Sequence, residues 1–328
     1  MDLEEQYKEI RKKCNVPKED WPEWRKHLYD HGWAIVKNVI PKEKCEEYSS
    51  RFWDWVEGFN SGVKRNKPST WTSDNWPGHI HGIFQGYAIG QTQFVWDVRS
   101  EEEIIKIFEM IYQDKELLVS FDGANLSRPT IESRASMWAH FDQGSQKNDF
   151  RCIQGFLNLQ PCQEFDGGLI VYEDSHLQHD AFFKESGAVS DGDWYKFQED
   201  PQPLKWFKNC KKIKVCCDPG DFVLWDSRTI HYACPPIKHK GTGNCREVVY
   251  VSCQPASLAN ERVIGQKQKA FYSKRMTSHW ASENIKLFAR TPRSYGDTER
   301  EQRFQFDETT LPVLNERARK LAGLDPYY

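Results

Sequence analysis

A chain of 328 residues holds one large domain or two small ones. With 28% charged residues, a net charge of −3 and a mean hydropathy of −0.77, it reads as a soluble protein with no overall pull toward nucleic acid or an anionic membrane. The acidic start, Met1 to Gln6, lacks the apolar centre of a secretory signal, and no apolar run is long enough to span a bilayer. The ten cysteines show no Cys-x-x-Cys and no regular framework, so reduced thiols in the cytoplasm are the expectation.

The pattern predicts a charged helix over 3–14. A second helix opens at Trp21-Pro22-Glu23-Trp24 and stops near His31-Gly32, with glycine as the C-terminal signal. Residues 32–40 read as a strand. Pro41 then opens a helix whose Cys45, Tyr48, Phe52 and Trp55 recur at spacings of three and four, up to Gly58. Residues 60–90, rich in Gly, Pro, Ser, Asn and His, read as irregular: an ordinary loop, or part of a lid over a substrate. Gln93–Arg99 reads as a short extended piece. Ser100 caps a helix running to about Tyr112, with Glu101 to Glu103 suiting its dipole. Leu117–Asp122 is a strand stopped by Gly123.

From Ser136 the pattern changes to strands near 136–142, 151–159, 168–173, 213–217, 221–225, 229–233 and 246–253. Short strands separated by turns predict a sandwich or barrel. Asp180–Lys208 reads as a helical, Trp-rich insertion. Residues 256–328 read as polar and helical, with Glu261, Lys267, Lys269 and Lys274 on an exposed face. There is no internal repeat or convincing linker. The expected organisation is a single domain: N-terminal helices over about 1–58, a β core over about 115–255, and a helical extension over about 256–328.

His140-Phe141-Asp142 is the pattern that carries chemistry. On an extended strand His140 and Asp142 share a face, while Phe141 points into packing on the other. An imidazole and a carboxylate so placed can grip one metal ion. A third ligand would complete a two-histidine, one-carboxylate face suited to ferrous iron with open positions. His231 is the best candidate, at the end of an apolar strand that follows a Pro219-Gly220-Asp221 turn. His176 competes and is preferred as a structural turn residue. His79 and His81 alternate in a Gly/Pro-rich loop and read as solvent-facing or packing residues. Arg246, 15 residues beyond His231, starts an apolar strand. A guanidinium there needs an anion, either a protein carboxylate or the far carboxylate of a keto acid bound to the metal. Gln154 and Asn158 share one strand face, and either satisfy loop backbones or orient a small polar ligand, Asn158 being the better candidate.

These pieces together resemble the phytanoyl-CoA dioxygenase-like family of iron(II)/2-oxoglutarate oxygenases. The resemblance rests on His140-Phe141-Asp142, the Asp166-Gly167-Gly168-Leu169 turn leading to Ser175-His176, Gly220-Asp221 before His231, Arg246, and the opening stretch 28–41. It covers most of residues 25–255. Two departures stand out: Glu173-Asp174 replaces the usual Pro-Gly before Ser-His, and Arg246 is farther from the distal histidine than usual. The resemblance implies a double-stranded β-helix (a cupin-like jelly roll), mainly β with helical decoration, in the α+β sense. It also implies Fe(II), 2-oxoglutarate and O2 as cofactors, and hydroxylation of a C–H bond of a small or medium organic substrate, with release of succinate and CO2. His140, Asp142 and His231 would hold the metal, with Arg246, Asn158 and Gln154 at the 2-oxoglutarate. Gln93, Trp96, Arg99 and Asp122 would line the open end for substrate. Because Asp142 supplies a carboxylate, halogenation is disfavoured. Two rival readings use the same residues: a zinc hydrolase, and a non-catalytic jelly-roll binding module. A basic run, Lys205 to Lys214, with nearby Trp raises nucleic-acid binding as a third, against the bland reading of a solvated surface.

Overall fold

The computed structural model describes residues 2–129, 138–237, 240–292, 298–304 and 310–327. In chain order the elements are α1 (Leu3–Cys14), α2 (Glu23–His31), β1 (Trp33–Val36), α3 (Lys42–Glu57), β2 (Ile83–Phe84), α4 (Gln93–Arg99) and α5 (Glu102–Tyr112). Next come β3 (Leu117–Val119), β4 (Ala124–Ser127), β5 (His140–Phe141), β6 (Ile153–Asn158), β7 (Gly168–Tyr172), α6 (His179–Ser186), β8 (Tyr195–Lys196) and β9 (Lys212–Lys214). The chain continues through β10 (Phe222–Asp226), β11 (His231–Cys234), β12 (Arg246–Tyr250), β13 (Cys253–Pro255), α7 (Glu261–Tyr272), α8 (Thr298–Arg303) and α9 (Glu316–Ala322).

Local chemistry explains the helix ends. Asp2 caps α1 by accepting from the Glu5 N–H at 2.9 Å. Glu4 and Glu5 in the first turn and Arg11 to Lys13 in the last complement the helix dipole. Gly32 ends α2 at φ +78°, and a Cβ there would lie 2.5 Å from His176 Nδ1 and 2.6 Å from Thr229 Oγ1. Glycine is required both for the turn and for the close approach.

Among the described residues the strands form two antiparallel sheets. The larger runs β1-β10-β6-β12-β4-β2, with β13 joined to β6 and β3; the smaller runs β8-β5-β11-β7-β9. Alternation along the strands builds the layers. On β10, Phe222 and Leu224 join the helix-side core with Tyr48, Phe52 and Phe108, whereas Val223 and Trp225 face the other sheet. Val248 of β12 and Phe156 of β6 join that inner layer, opposite Leu169 and Val171 of β7. The helix-side core also takes in Tyr7 of α1 and Leu321 of α9, so both ends of the chain pack on the larger sheet. The outer face of the smaller sheet is covered by an aromatic cluster of Phe141, Phe182, Phe183, Phe197 and Phe207. The two facing sheets are those of a jelly roll.

Several elements differ from the sequence-based expectations. Gln93–Arg99 is helix α4, not extended. Phe94, Val95, Trp96, Val98 and Arg99 are all buried, and so dense an apolar run fits either period. Ser100 closes α4 rather than capping α5: its hydroxyl donates back to the Trp96 carbonyl at 2.7 Å. The 180–208 insertion is helical only through Ser186. Gly187, at φ +69°, ends the helix, and β8 then pairs with β5. The strand expected over 136–142 is His140–Phe141, with 136 and 137 outside the described residues. In the C-terminal extension, residues 273–292 carry no helix. Lys267, expected on an exposed face, is 1% exposed, and its Nζ donates to the Val119 carbonyl at 2.6 Å. Burial pulls its pKa down to about 7.

Candidate metal centre

β5 and β11 are neighbours in the smaller sheet, and their register sets His140 directly opposite His231. The ring centroids are 4.3 Å apart. Asp142 lies just past β5, its N–H donating to the Ser227 carbonyl at 3.1 Å. That bond continues the extended course and turns Asp142 to the same side as His140. Asp142 Oδ1 is 3.5 Å from His140 Nε2, and Oδ2 is 3.3 Å from His231 Nε2. The three donor groups all lie within 4.8 Å of one another. Phe141 points the opposite way, into the aromatic cluster, with five rings centred 4.9–6.0 Å from its own.

Hydrogen bonding settles which nitrogens are free. His140 Nδ1 is 2.9 Å from the Trp138 carbonyl, and His231 Nδ1 is 2.9 Å from the Thr229 carbonyl. A carbonyl only accepts, so each Nδ1 carries the hydrogen and each Nε2 presents a lone pair to the carboxylate. Burial, reinforced by His231, lowers the His140 pKa to about 3, which keeps the ring neutral. Two lone pairs and a carboxylate facing each other with no hydrogen to share is an arrangement that a cation resolves. The donor set suits ferrous iron with open positions.

Around this face the predicted residues separate. Gln154 lies on the inner face of β6, and its Nε2 donates to Asp142 Oδ2 at 3.0 Å, so it orients a carboxylate rather than facing a ligand of its own. Asn158, expected at the cofactor, is instead committed to three backbone carbonyls, those of Gln160, Cys217 and Asp218. It fastens the turn before β10. Arg246 opens β12 and points inward: its guanidinium carbon is 5.4 Å from the centre of the Phe156 ring, which shares the inner face of β6 with Gln154. It is 8% exposed, and Nη1 is buried with no hydrogen-bond partner. A buried cationic donor left open is the feature a keto acid's far carboxylate would satisfy.

The four expected substrate contacts divide likewise. Gln93 is exposed and bonds Asp97 and both backbone groups of Val313. Trp96 is core, donating to Gln91 and packing on Phe121 and Phe271. Arg99 is wholly buried, donating to the Gly90 and Asp122 carbonyls, with burial lowering its pKa to about 9. On helix α4 these three side chains are taken up by contacts within the protein. Asp122 alone of the four stands within electrostatic reach of Asp142, its pKa raised by burial to about 6. His176 lies apart from the metal face, its Nε2 3.2 Å from the Tyr29 carbonyl. In the basic run, Lys205 pairs with Glu185 and Lys212 with Asp200.

Other residues at the centre escaped the sequence reading. Trp138 stacks on His140 (4.5 Å, 13°), and His81 stacks on Trp138 (4.3 Å, 11°). The 60–90 segment thus reaches the metal face through a column of three rings. Trp194 leans on His140 from the rim, with centroids 5.9 Å apart. His279, from the segment after α7, is within electrostatic reach of Asp142 and His231; its Nε2 is buried without a partner. Nothing in a lone His-Trp dipeptide signals this. The adjacency of Trp138 to the metal motif could have flagged the stack.

Comparison with known proteins agrees with the geometry. Residues 28–236, more than half of the chain, match the family model for phytanoyl-CoA dioxygenase (PhyH). The chain is 30% identical over 267 residues to Ava biosynthesis cluster protein O of Aspergillus versicolor, covering 78% of this chain and 85% of that one. It is 22% identical to a putative phytanoyl-CoA dioxygenase of Dictyostelium discoideum, over 70% of this chain and 74% of the relative. Among solved structures, the GlcNAc-inducible gene 2 protein of Candida albicans shares the fold, with a TM-score of 0.53 at 14% identity, over 98% of this chain and 87% of that one. Family membership decides among the readings left open by the sequence, in favour of the oxygenase over a zinc hydrolase or a binding module. The chain belongs to the phytanoyl-CoA dioxygenase family and is an iron- and 2-oxoglutarate-dependent dioxygenase.

Proposed function

We propose that this dioxygenase hydroxylates a C–H bond of a small or medium organic molecule, with His140, Asp142 and His231 holding iron and Arg246 anchoring 2-oxoglutarate. The observation that carries the assignment is a pair of open features on the facing inner sides of the two sheets: two imidazole Nε2 atoms around a carboxylate, and a buried Arg246 Nη1 without a partner. When bound, the iron and keto acid supply the oxidising chemistry, with succinate and CO2 as co-products. The chain's own residues do the rest. Gln154 fixes the Asp142 carboxylate, the Trp138 and Thr229 carbonyls fix the two rings, and the inner apolar layer around Phe156, Val223 and Val248 excludes water. Asp142 occupies the place a halide would need, which favours hydroxylation.

Trp138, Trp194 and the unpartnered His279 suit a substrate with a flat or apolar body and one hydrogen-bonding group. The biosynthetic-cluster name of the Aspergillus relative supports a natural-product substrate. The 60–99 segment, stacked on the metal face through His81, would close over it. One oxygenase unit spanning both chain ends is part of the same reading, since Tyr7 and Leu321 share one core. So is a cytoplasmic setting, supported by the ten free cysteines. The deciding experiment is anaerobic addition of Fe(II) and 2-oxoglutarate, followed by visible spectroscopy. A metal-to-ligand charge-transfer band is expected in the wild type and absent in Asp142→Ala. A wild type that retains bound iron and keto acid yet shows no band would refute the assignment.

A further inference from the structure

The helix end that leads into β1 carries a second cluster of ligand groups, which the oxygenase centre does not use. His31 closes α2, and Glu173 and Asp174 follow β7. One donor atom from each of the three lies within 4.8 Å of the others. His31 Nδ1 is 2.7 Å from Asp174 Oδ1, and Glu173 Oε2 accepts from Trp33 Nε1 at 3.1 Å. His27 stands one turn before His31, and the two rings are centred 4.6 Å apart. Histidines at i and i+4 on one helix face can hold a single zinc ion between them.

Three features separate this cluster from a chance surface ion pair. The spacing is held by backbone: the Asp174 N–H donates to the His31 carbonyl at 3.1 Å, and His176 ties the same turn to the Tyr29 carbonyl. The sequence departs from its family's pattern at this point, with Glu173-Asp174 in place of Pro-Gly. Asp174 adopts φ +69°, a conformation natural to glycine and costly for most other residues. Finally, His27, His31 and Trp33 line a surface cavity of about 520 Å³, which gives an ion a path from solvent.

We infer that His31, Glu173 and Asp174, with His27 one turn away on α2, form a second divalent-cation site, of the mixed imidazole–carboxylate kind that suits Zn2+. The ion takes the place of the hydrogen between His31 Nδ1 and Asp174, that hydrogen moving to Nε2 of the neutral ring, and pins α2 to the turn after β7. The site stands independently of the oxygenase centre.

The test is equilibrium dialysis of the full-length, chelator-stripped protein against Zn2+, with zinc per chain read by mass spectrometry. The wild type is expected to hold two equivalents, one at each centre. Asp174→Gly, whose backbone suits φ +69°, and His27→Ala/His31→Ala should each weaken the second equivalent by at least about tenfold. Both variants should keep the iron–2-oxoglutarate absorption band, which shows that the fold persists. A His140→Ala/Asp142→Ala variant should retain one equivalent, which adding His31→Ala removes. A single equivalent in the wild type, or a second equivalent unchanged in both α2-end variants, would overturn the inference. If the wild type lacks the absorption band but keeps the α2-end equivalent, the oxygenase assignment fails and the second site stands.

Discussion

Arg246→Met tests the assigned anchor most directly, because the expected effects on the free and loaded protein have opposite signs. In the free protein the guanidinium is 8% exposed and Nη1 has no partner. An unbonded donor on a buried charge is a liability of about 1–3 kcal/mol. A methionine of similar length, over the same Phe156 ring, should therefore leave the free protein at least as stable. In the loaded protein a charge-assisted, two-pronged contact to a carboxylate is lost, worth about 2–3 kcal/mol, or about 30- to 150-fold in Kd. At 2-oxoglutarate one hundred times the wild-type Kd, ligand-linked stabilisation is about 2.7 kcal/mol. A 30-fold weaker Kd reduces it to about 0.9 kcal/mol by the same relation. Thermal unfolding with Mn2+ as an inert metal, with and without 2-oxoglutarate, reads both numbers; metal affinity alone should not move. Wild-type keto-acid affinity in the variant, or a free protein destabilised by several kcal/mol, would refute the reasoning.

Three further outcomes follow from contacts around the centre. Gln154→Leu removes the amide that fixes Asp142 Oδ2, and iron affinity should fall about 10- to 100-fold with the keto-acid contact intact; an anaerobic iron titration showing no change would remove Gln154 from the centre. Phe141→Ala leaves a void among five rings behind His140 and should cost about 3–5 kcal/mol in urea unfolding; a loss under about 1 kcal/mol would mean the cluster does not brace β5. Lys267 has a folded pKa of about 7, set mainly by burial, with Arg99 adding to it. Its unfolded value is about 10.4. Between the two the unfolded chain holds the extra proton, so stability should rise with pH from about 7 to about 10.4, and the Lys267 contribution is lost as pH falls through 7. Lys267→Met should flatten that slope and stabilise the protein at neutral pH; a slope that survives the substitution would place its origin elsewhere.

The metal face was legible in the sequence because it depends on period two. His140 and Asp142 share a side whatever lies around them, and Phe141 must then enter the opposite layer, as it does. The strand after Gly220 was legible for the same reason: four consecutive residues, Phe222 to Trp225, alternate between two cores. The α4 segment was not. Phe94, Val95, Trp96 and Val98 are apolar at both helical and strand spacings, and only their burial on all sides, beneath Phe121 and Phe271, selects the helix. As a helix, the segment commits Trp96 and Arg99 to the core and Gln93 to Asp97 and Val313. Lys267 failed differently: a lysine on a polar helix reads as solvated, and nothing local announces that Val119 offers its carbonyl to the ammonium.

Gln154 and Asn158 show where such reading stops in principle. They are neutral amides four residues apart on one face of one strand, and the sequence alone favours Asn158 for the ligand. What divides them is the partner each meets across the sheet. Gln154 lies opposite Trp225 in β10, at the end of β6 that approaches Asp142, while Asn158 lies at the other end, beside the turn at Asp218. One amide can reach the metal's carboxylate and the other only backbone oxygens. Strand direction and register, properties of the folded pairing and not of either residue, therefore assign a role at the centre to one and a role in the scaffold to the other. The same logic identifies Arg246 more firmly than its distance from His231 along the chain could: its place is fixed by lying over Phe156, two positions from Gln154 on the same inner face.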